Sequence, residues 1–196
     1  MALRYLSADQ LLADAQQLAV KIVASGFQPD LLVALWRGGA PVGMAIHEVL
    51  ALAGTACEHL PLRAESYTGI DRQLAVRFHG LEVLWPLLQN SARVLLVDDV
   101  FDTGRTMEAL CSHIHAHSLG RPLLLKIATP WYKSGKNLTA LVPDFHLHTT
   151  DDWLVFPHEL QHLTDAQILD KPGNQTLLRQ LADLRRSRPQ TSQPPR

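Results

Sequence analysis

Three short apolar runs constrain what this chain can fold into more than any other feature: LLVALW (Leu31–Trp36), the VLLV that follows Arg93, and PLLLKIAT (Pro122–Thr129). Each is continuous rather than alternating, and the first is bounded by Pro29-Asp30 and Gly38-Gly39. A short, continuous apolar run such as the first reads as a strand buried on both faces, the environment of a parallel sheet covered by helices, and the other two, the third interrupted by Lys126, read the same way. Helical spacing fills the intervals. Over 8–25, Leu11, Leu12, Ala15, Leu18, Ala19, Ile22 and Val23 recur at that spacing, with Ser7 as a candidate N-cap and Gly26 as a stop. Pro41–Ala53 and Arg105–Ser118 repeat the pattern after the first and second strands. Strand, helix, strand, repeated, predicts an α/β fold with a parallel sheet.

Composition narrows the function classes. A length of 196 residues fits one domain, and 46% hydrophobic residues support one sizeable core. Lys plus Arg number 18 against 19 for Asp plus Glu, a net charge of −1, which argues against a coat for nucleic acid or an anionic membrane. Two cysteines, Cys57 and Cys111, are too few for a disulfide scaffold and suit a reducing compartment. No apolar run approaches the ~20 residues of a membrane span. The N-terminal stretch carries Asp9 and Asp14 and no small-residue cleavage site, unlike a secretion signal. A cytoplasmic domain with no membrane partner is expected.

Other segments are less regular. Candidate strands near Cys57–Leu62 and Leu81–Leu84 flank a polar stretch, Arg63–Arg72. Phe145–Thr149 and Trp153–Phe156 read as short strands split by Asp151-Asp152. Residues 174–186 suit a last helix, and the tail SRPQTSQPPR reads as disordered. The C-terminal arginines read as a solvated helix face and tail. His113, His115 and His117 alternate in a helix, so they read as surface residues rather than ligands sharing one face. His146 and His148 have no evident Cys or carboxylate partner, so zinc is not expected.

The chemistry is concentrated in VLLVDDVFDTGRTM, Val94–Met107. A buried strand ends in Asp98 and Asp99, and the loop Asp102-Thr103-Gly104-Arg105-Thr106 opens the next helix. Ligands of open α/β sheets bind beyond the carboxyl ends of the strands. Gly104 permits a tight turn and close backbone approach. Amides at a helix start, with the Thr103 and Thr106 hydroxyls, suit a phosphate. Adjacent carboxylates can accept from a diol or hold a magnesium ion through its waters. The segment is neither a Walker loop, since no Gly-x-x-x-x-Gly-Lys is present, nor a dinucleotide fingerprint, since it has only one glycine.

This segment resembles the phosphoribosyl-pyrophosphate (PRPP) motif of type I phosphoribosyltransferases. Two further stretches agree with the resemblance. Trp36-Arg37-Gly38-Gly39 is similar to the family's pyrophosphate loop, where a non-proline cis peptide is common. Ser66-Tyr67 resembles the Ser-Tyr of its flexible loop. The resemblance implies a Rossmann-like core over about 27–142, a small hood over about 143–172 with part of the N-terminus, and a C-terminal helix and tail at 173–196. Ala128-Thr129-Pro130-Trp131-Tyr132-Lys133 and Trp153-Leu154-Val155-Phe156-Pro157-His158-Glu159 look like the base pocket of hypoxanthine, guanine and xanthine enzymes. Lys133 would donate to the purine 6-oxo group, with Lys126 and Lys136 as nearby competitors. Trp153 would stack on the base, and the backbone around Leu154 would meet its 2-position edge. His158 departs from the Trp of many relatives, and Phe101 from a smaller residue; Phe101 could narrow the mouth of the site.

By this resemblance the chain transfers the 5-phosphoribosyl group of PRPP to a 6-oxopurine with Mg²⁺. Asp98 and Asp99 hold the ribose and magnesium, Asp102–Thr106 the 5′-phosphate, and Trp36–Gly39 the pyrophosphate. Asp102 accepts the purine N7 proton, a role suited to a carboxylate whose pKa burial raises. Relatives are usually dimers or tetramers, so a homo-oligomer is expected; nucleic acid is not expected as a partner. Two alternatives stay open: a phosphoribosyltransferase of other base specificity, and a non-catalytic PRPP-binding regulator. Which 6-oxopurine is used is not written in these residues.

Overall fold

The computed structural model describes residues 3–68, 74–118, 120–161, 163–171 and 175–187. In chain order the elements are β1 (Leu3–Tyr5), α1 (Ala8–Ala24), β2 (Leu31–Trp36), α2 (Gly39–Leu52), β3 (Glu58–Thr68), β4 (Leu74–His79), α3 (Leu81–Gln89), β5 (Arg93–Val97), β6 (Val100–Phe101), α4 (Arg105–His117), β7 (Leu124–Ala128), β8 (Trp131–Tyr132), β9 (His148–Thr149), β10 (Trp153–Val155), α5 (Asp165–Leu169) and α6 (Gln175–Ser187). The central sheet has the order β4-β3-β2-β5-β7. β2, β3, β5 and β7 run parallel, and β4 closes one edge antiparallel to β3.

The continuous apolar runs have a direct cause. Alternate residues of each strand enter different cores. Leu32, Ala34, Leu95, Val97 and Ala128 face one cluster with Leu18, Ile22 and Ile46 of α1 and α2. Leu31, Val33, Leu35, Val94, Leu96 and Ile127 face the other, with Leu84 of α3 and Leu110 and Ile114 of α4. A strand covered on both sides has no polar face to show. Ser7 caps α1, its side chain accepting from the Gln10 amide at 3.0 Å. Away from the sheet, β1 pairs parallel with β10, Leu3 opposite Trp153. β6, β8 and β9 form a small sheet of their own. No helix among the described residues is long and apolar enough to cross a membrane.

The structure corrects the sequence reading between 55 and 90. Leu81–Leu84 is not a strand but the first turn of α3, which buries Leu84 and Leu88 one turn apart. Pro86 lies inside that helix, so the local preference for a break yields to burial. The polar stretch is also more ordered than expected. β3 continues to Thr68 and pairs back onto β4 from Arg63↔His79 to Thr68↔Leu74. Of Phe145–Thr149 only His148-Thr149 is strand, with Phe145 making a single bridge to Ala128. The proline-rich tail from residue 188 lies outside the described residues.

Leu95 sits in the middle of β5 with no solvent exposure. Leu95→Ala should cost about 2–5 kcal/mol by chemical denaturation. Leu52→Ala, at a residue 88% exposed, should stay within about 0.5 kcal/mol.

Candidate active site

β2 and β5 are neighbours in register, from Leu31↔Val94 to Ala34↔Val97, so the loops leaving their carboxyl ends start side by side. Trp36-Arg37-Gly38-Gly39 leaves β2 through a cis Trp36–Arg37 peptide. Asp98-Asp99 leaves β5. The two loops touch at the glycines. A Cβ on Gly38 would lie 2.1 Å from Asp99 Oδ2, and one on Gly39 would lie 2.5 Å from the Val97 carbonyl oxygen. Only residues without a side chain allow this approach. α2 begins at Gly39 with no side chain capping it; its Ala40 amide donates to the Arg37 carbonyl at 3.2 Å.

The two acids differ. Asp99 is buried and Asp98 half-buried. Burial, then the neighbouring Asp99 charge, raises the Asp98 carboxyl well above the usual range, although the Gly39 and Asp99 amides oppose this. The Asp99 amide donates to Asp98 Oδ1 at 3.0 Å. His158 Nε2 lies 3.2 Å from Asp99 Oδ2. Arg37, Gly38, Asp98, Asp99, Thr106 and His158 line one cleft. Ala64 of β3 lines it too, so the β3–β4 hairpin stands at its rim. Ser66 and Tyr67, expected in an irregular loop, lie on that hairpin, their backbones opposite Val76 and Ala75.

A second recess adjoins the first through Asp98 and Thr106 and is walled by Asp102, Thr103 and Gly104. Gly104 has φ +78° and precedes α4 with no side chain capping the helix start. Asp102 is therefore not the cap of α4, and the first amides of the helix are free to meet an anion. The backside of this turn is packed: a Cβ on Gly104 would lie 2.4 Å from Thr139 Oγ1, and the Leu138 amide donates to the Thr103 carbonyl at 3.0 Å.

Beyond the recess lies an ion pair. Lys133 Nζ donates to Asp102 Oδ2 at 2.7 Å. The lysine side chain is 6% exposed and the aspartate 41%. Asp102 is thus half-buried, and its company is an ammonium. The Lys133 amide donates to the Phe101 carbonyl at 2.9 Å, which fixes the lysine at the end of β8. Lys133 Nζ lies 5.7 Å and Lys136 Nζ 5.8 Å from the centre of the Trp153 ring, which is 52% exposed. Lys126, the third candidate, is occupied by Asp144 at 2.7 Å. Leu154 is buried in β10. Phe101 is buried, edge-on to Tyr132, and lines the inner wall of the recess beside Asp102 and Gly104.

A family model for the phosphoribosyl transferase domain matches residues 2–164. The chain belongs to the phosphoribosyltransferase family. Solved structures share its fold. A purine phosphoribosyltransferase from Pyrococcus horikoshii has a TM-score of 0.63 at 24% identity, over 84% of this chain and 99% of its own. A hypothetical protein from Neisseria gonorrhoeae with bound ppGpp scores 0.64 at 20% identity, over 82% and 90%. The xanthine-guanine-hypoxanthine phosphoribosyltransferase of Helicobacter pylori scores 0.61 at 21%, over 79% and 92%. No curated protein sequence matches the chain.

In this phosphoribosyltransferase the sequence reading missed the contact between His158 and Asp99, because nothing local links residues so far apart in the chain. It also missed Lys171, which is 2% exposed and donates to the carbonyls of Phe156, Pro157 and Glu159. A lone lysine near the end of the matched region carries no sequence signal of burial. The glycine contact yields a prediction. Gly39→Ala must push against backbone, so it should destabilise the protein by about 1–3 kcal/mol by thermal or chemical unfolding. An unchanged transition would show that the two loops do not meet this closely.

Proposed function

We propose that this phosphoribosyltransferase moves the 5-phosphoribosyl group of PRPP to a 6-oxopurine, giving the nucleoside 5′-monophosphate and pyrophosphate. The observation that carries this reading is the Lys133–Asp102 pair beside the open Trp153 face. An ammonium is a donor only, so it suits a carbonyl at the purine 6-position and not an amino group. Asp102, half-buried and adjacent, can accept the proton from N7. Trp153 offers a flat surface, worth about 1–3 kcal/mol when a base stacks on it. The purine enzymes among the structures of the same fold agree with this choice, as does the guanine nucleotide bound to the Neisseria gonorrhoeae protein.

The PRPP end follows from the two loops. Free amides of Thr103–Thr106 and the hydroxyls of Thr103 and Thr106 face the 5′-phosphate. Asp98 and Asp99 accept from the ribose hydroxyls. Arg37 and the amides of Gly38 and Gly39 meet the pyrophosphate as the C1–O bond breaks and its electrons leave with it. The purine nitrogen then forms the C1–N bond and its N7 proton passes to Asp102. The protein supplies position and charge rather than a nucleophile.

Asp98 and Asp99 also fit a magnesium ion in part. They are adjacent oxygen donors, and the raised Asp98 carboxyl is one that a nearby cation would ease back to its ionised form. Among the described residues no cluster of three or more His, Cys, Asp or Glu is placed to hold a metal. Such an ion would thus keep waters and substrate oxygens in its shell. When bound, it supplies charge neutralisation at the pyrophosphate oxygens.

A panel of hypoxanthine, guanine, xanthine, adenine, uracil and orotate, assayed by pyrophosphate release with PRPP, tests the proposal. Turnover is expected with one or more 6-oxopurines; turnover confined to adenine or a pyrimidine contradicts it. Asp102→Asn should retain PRPP binding by calorimetry while kcat falls about a hundredfold or more. Unchanged steady-state rates would remove Asp102 as the base. Lys133→Met should raise KM for the purine about tenfold or more.

A further inference from the structure

We infer that His158 is a positioning residue for PRPP: from the segment after β10 it holds the Asp99 carboxylate over Gly38 in the orientation that meets the ribose hydroxyls. The inference rests on the phosphoribosyl-transfer reading above. His158 puts an imidazole nitrogen 3.2 Å from Asp99 Oδ2. The contact is an ion-pair distance, with Nε2 the ring nitrogen that faces the carboxylate.

The histidine is aimed independently of the aspartate. Its ring stacks on the buried Phe156, with centroids 5.6 Å apart and planes 18° apart. The Phe156 amide donates to Glu159 Oε2 at 3.0 Å. The buried Lys171 ammonium gathers the carbonyls of Phe156, Pro157 and Glu159 around it. The backbone on both sides of His158 is therefore pinned before the side chain reaches Asp99.

Asp99 needs such an anchor. Its side chain lies across the space left by the missing Gly38 side chain. That contact limits where the carboxylate sits and does not fix its rotation. Asp98, its carboxyl raised by burial and by the Asp99 charge, stands beside it. One donor on Oδ2 sets the plane and leaves the other lone pairs, of about four on a carboxylate, for a diol. The contact also ties the strand end of the core to the segment that follows Trp153, so the ribose corner and the base pocket are held at one spacing.

The test compares full-length wild type with His158→Phe, which keeps a ring on Phe156 and loses the donor, and His158→Gln, which keeps an N–H of similar reach. His158→Phe should raise KM for PRPP about tenfold, with KM for the purine and kcat changed less than about twofold, and His158→Gln should recover most of the loss. Calorimetric titration with PRPP should show the same order. An unchanged PRPP KM in His158→Phe, a rise in purine KM instead, or a Gln variant no better than Phe would overturn the inference. If His158→Phe does not fold, His158→Asn, too short to reach Asp99, takes its place. Wild type that binds PRPP but transfers it to no base would defeat the functional reading alone, because the PRPP titrations of these variants still measure the contact.

Discussion

The site depends on two glycines lying against two acids. Parallel pairing of β2 with β5 sets their ends side by side, but only the absence of side chains at Gly38 and Gly39 lets one loop settle onto the other. That contact limits where Asp99 sits and puts the start of α2 at the junction. It explains why a chain with an ordinary three-layer α/β core can hold donors for an anion and acceptors for a diol within one cleft. Where side chains stood at these positions, the loops would part and the two halves of the ligand would have no common seat.

The charges of the cleft are arranged in partly answered pairs. Asp99 is met by His158, and Asp102 by Lys133. Asp98 is the acid least well answered, with amides of Gly39 and Asp99 set against burial and a like-charged neighbour. A ligand rich in hydroxyls and accompanied by a cation improves this balance. The phosphate ends are served differently, by two helix starts without capping side chains. In the proposed reading, the N-termini of α2 and α4 meet the anions, while the side-chain acids are kept for the sugar and the base.

Much of this was legible in the chain. The buried strands were, because a strand covered on both faces must be apolar throughout, and Leu31–Trp36 and Val94–Val97 are. The acid pair and the glycine turn that opens α4 were, because their residue types are tied to neighbours in sequence. What the chain hides is distance. α3 reads as a strand from its first four residues, and only Leu88, beyond Pro86, completes the helical face. The β3–β4 hairpin hides behind polar residues, since an edge pair needs little apolar content. Phe101 stands both in the core, against Tyr132 across β6 and β8, and in the wall of the recess, a placement its position in the chain does not show. The partnership of His158 with Asp99 belongs to tertiary packing and has no local signature.

The most direct measurement is a crystal structure of the protein soaked with ribose 5-phosphate. The expected result is the phosphate seated on the amides of Thr103–Thr106 with the ribose hydroxyls on Asp98 and Asp99. A sugar phosphate bound anywhere else, or that corner empty at saturating ligand, would contradict the account.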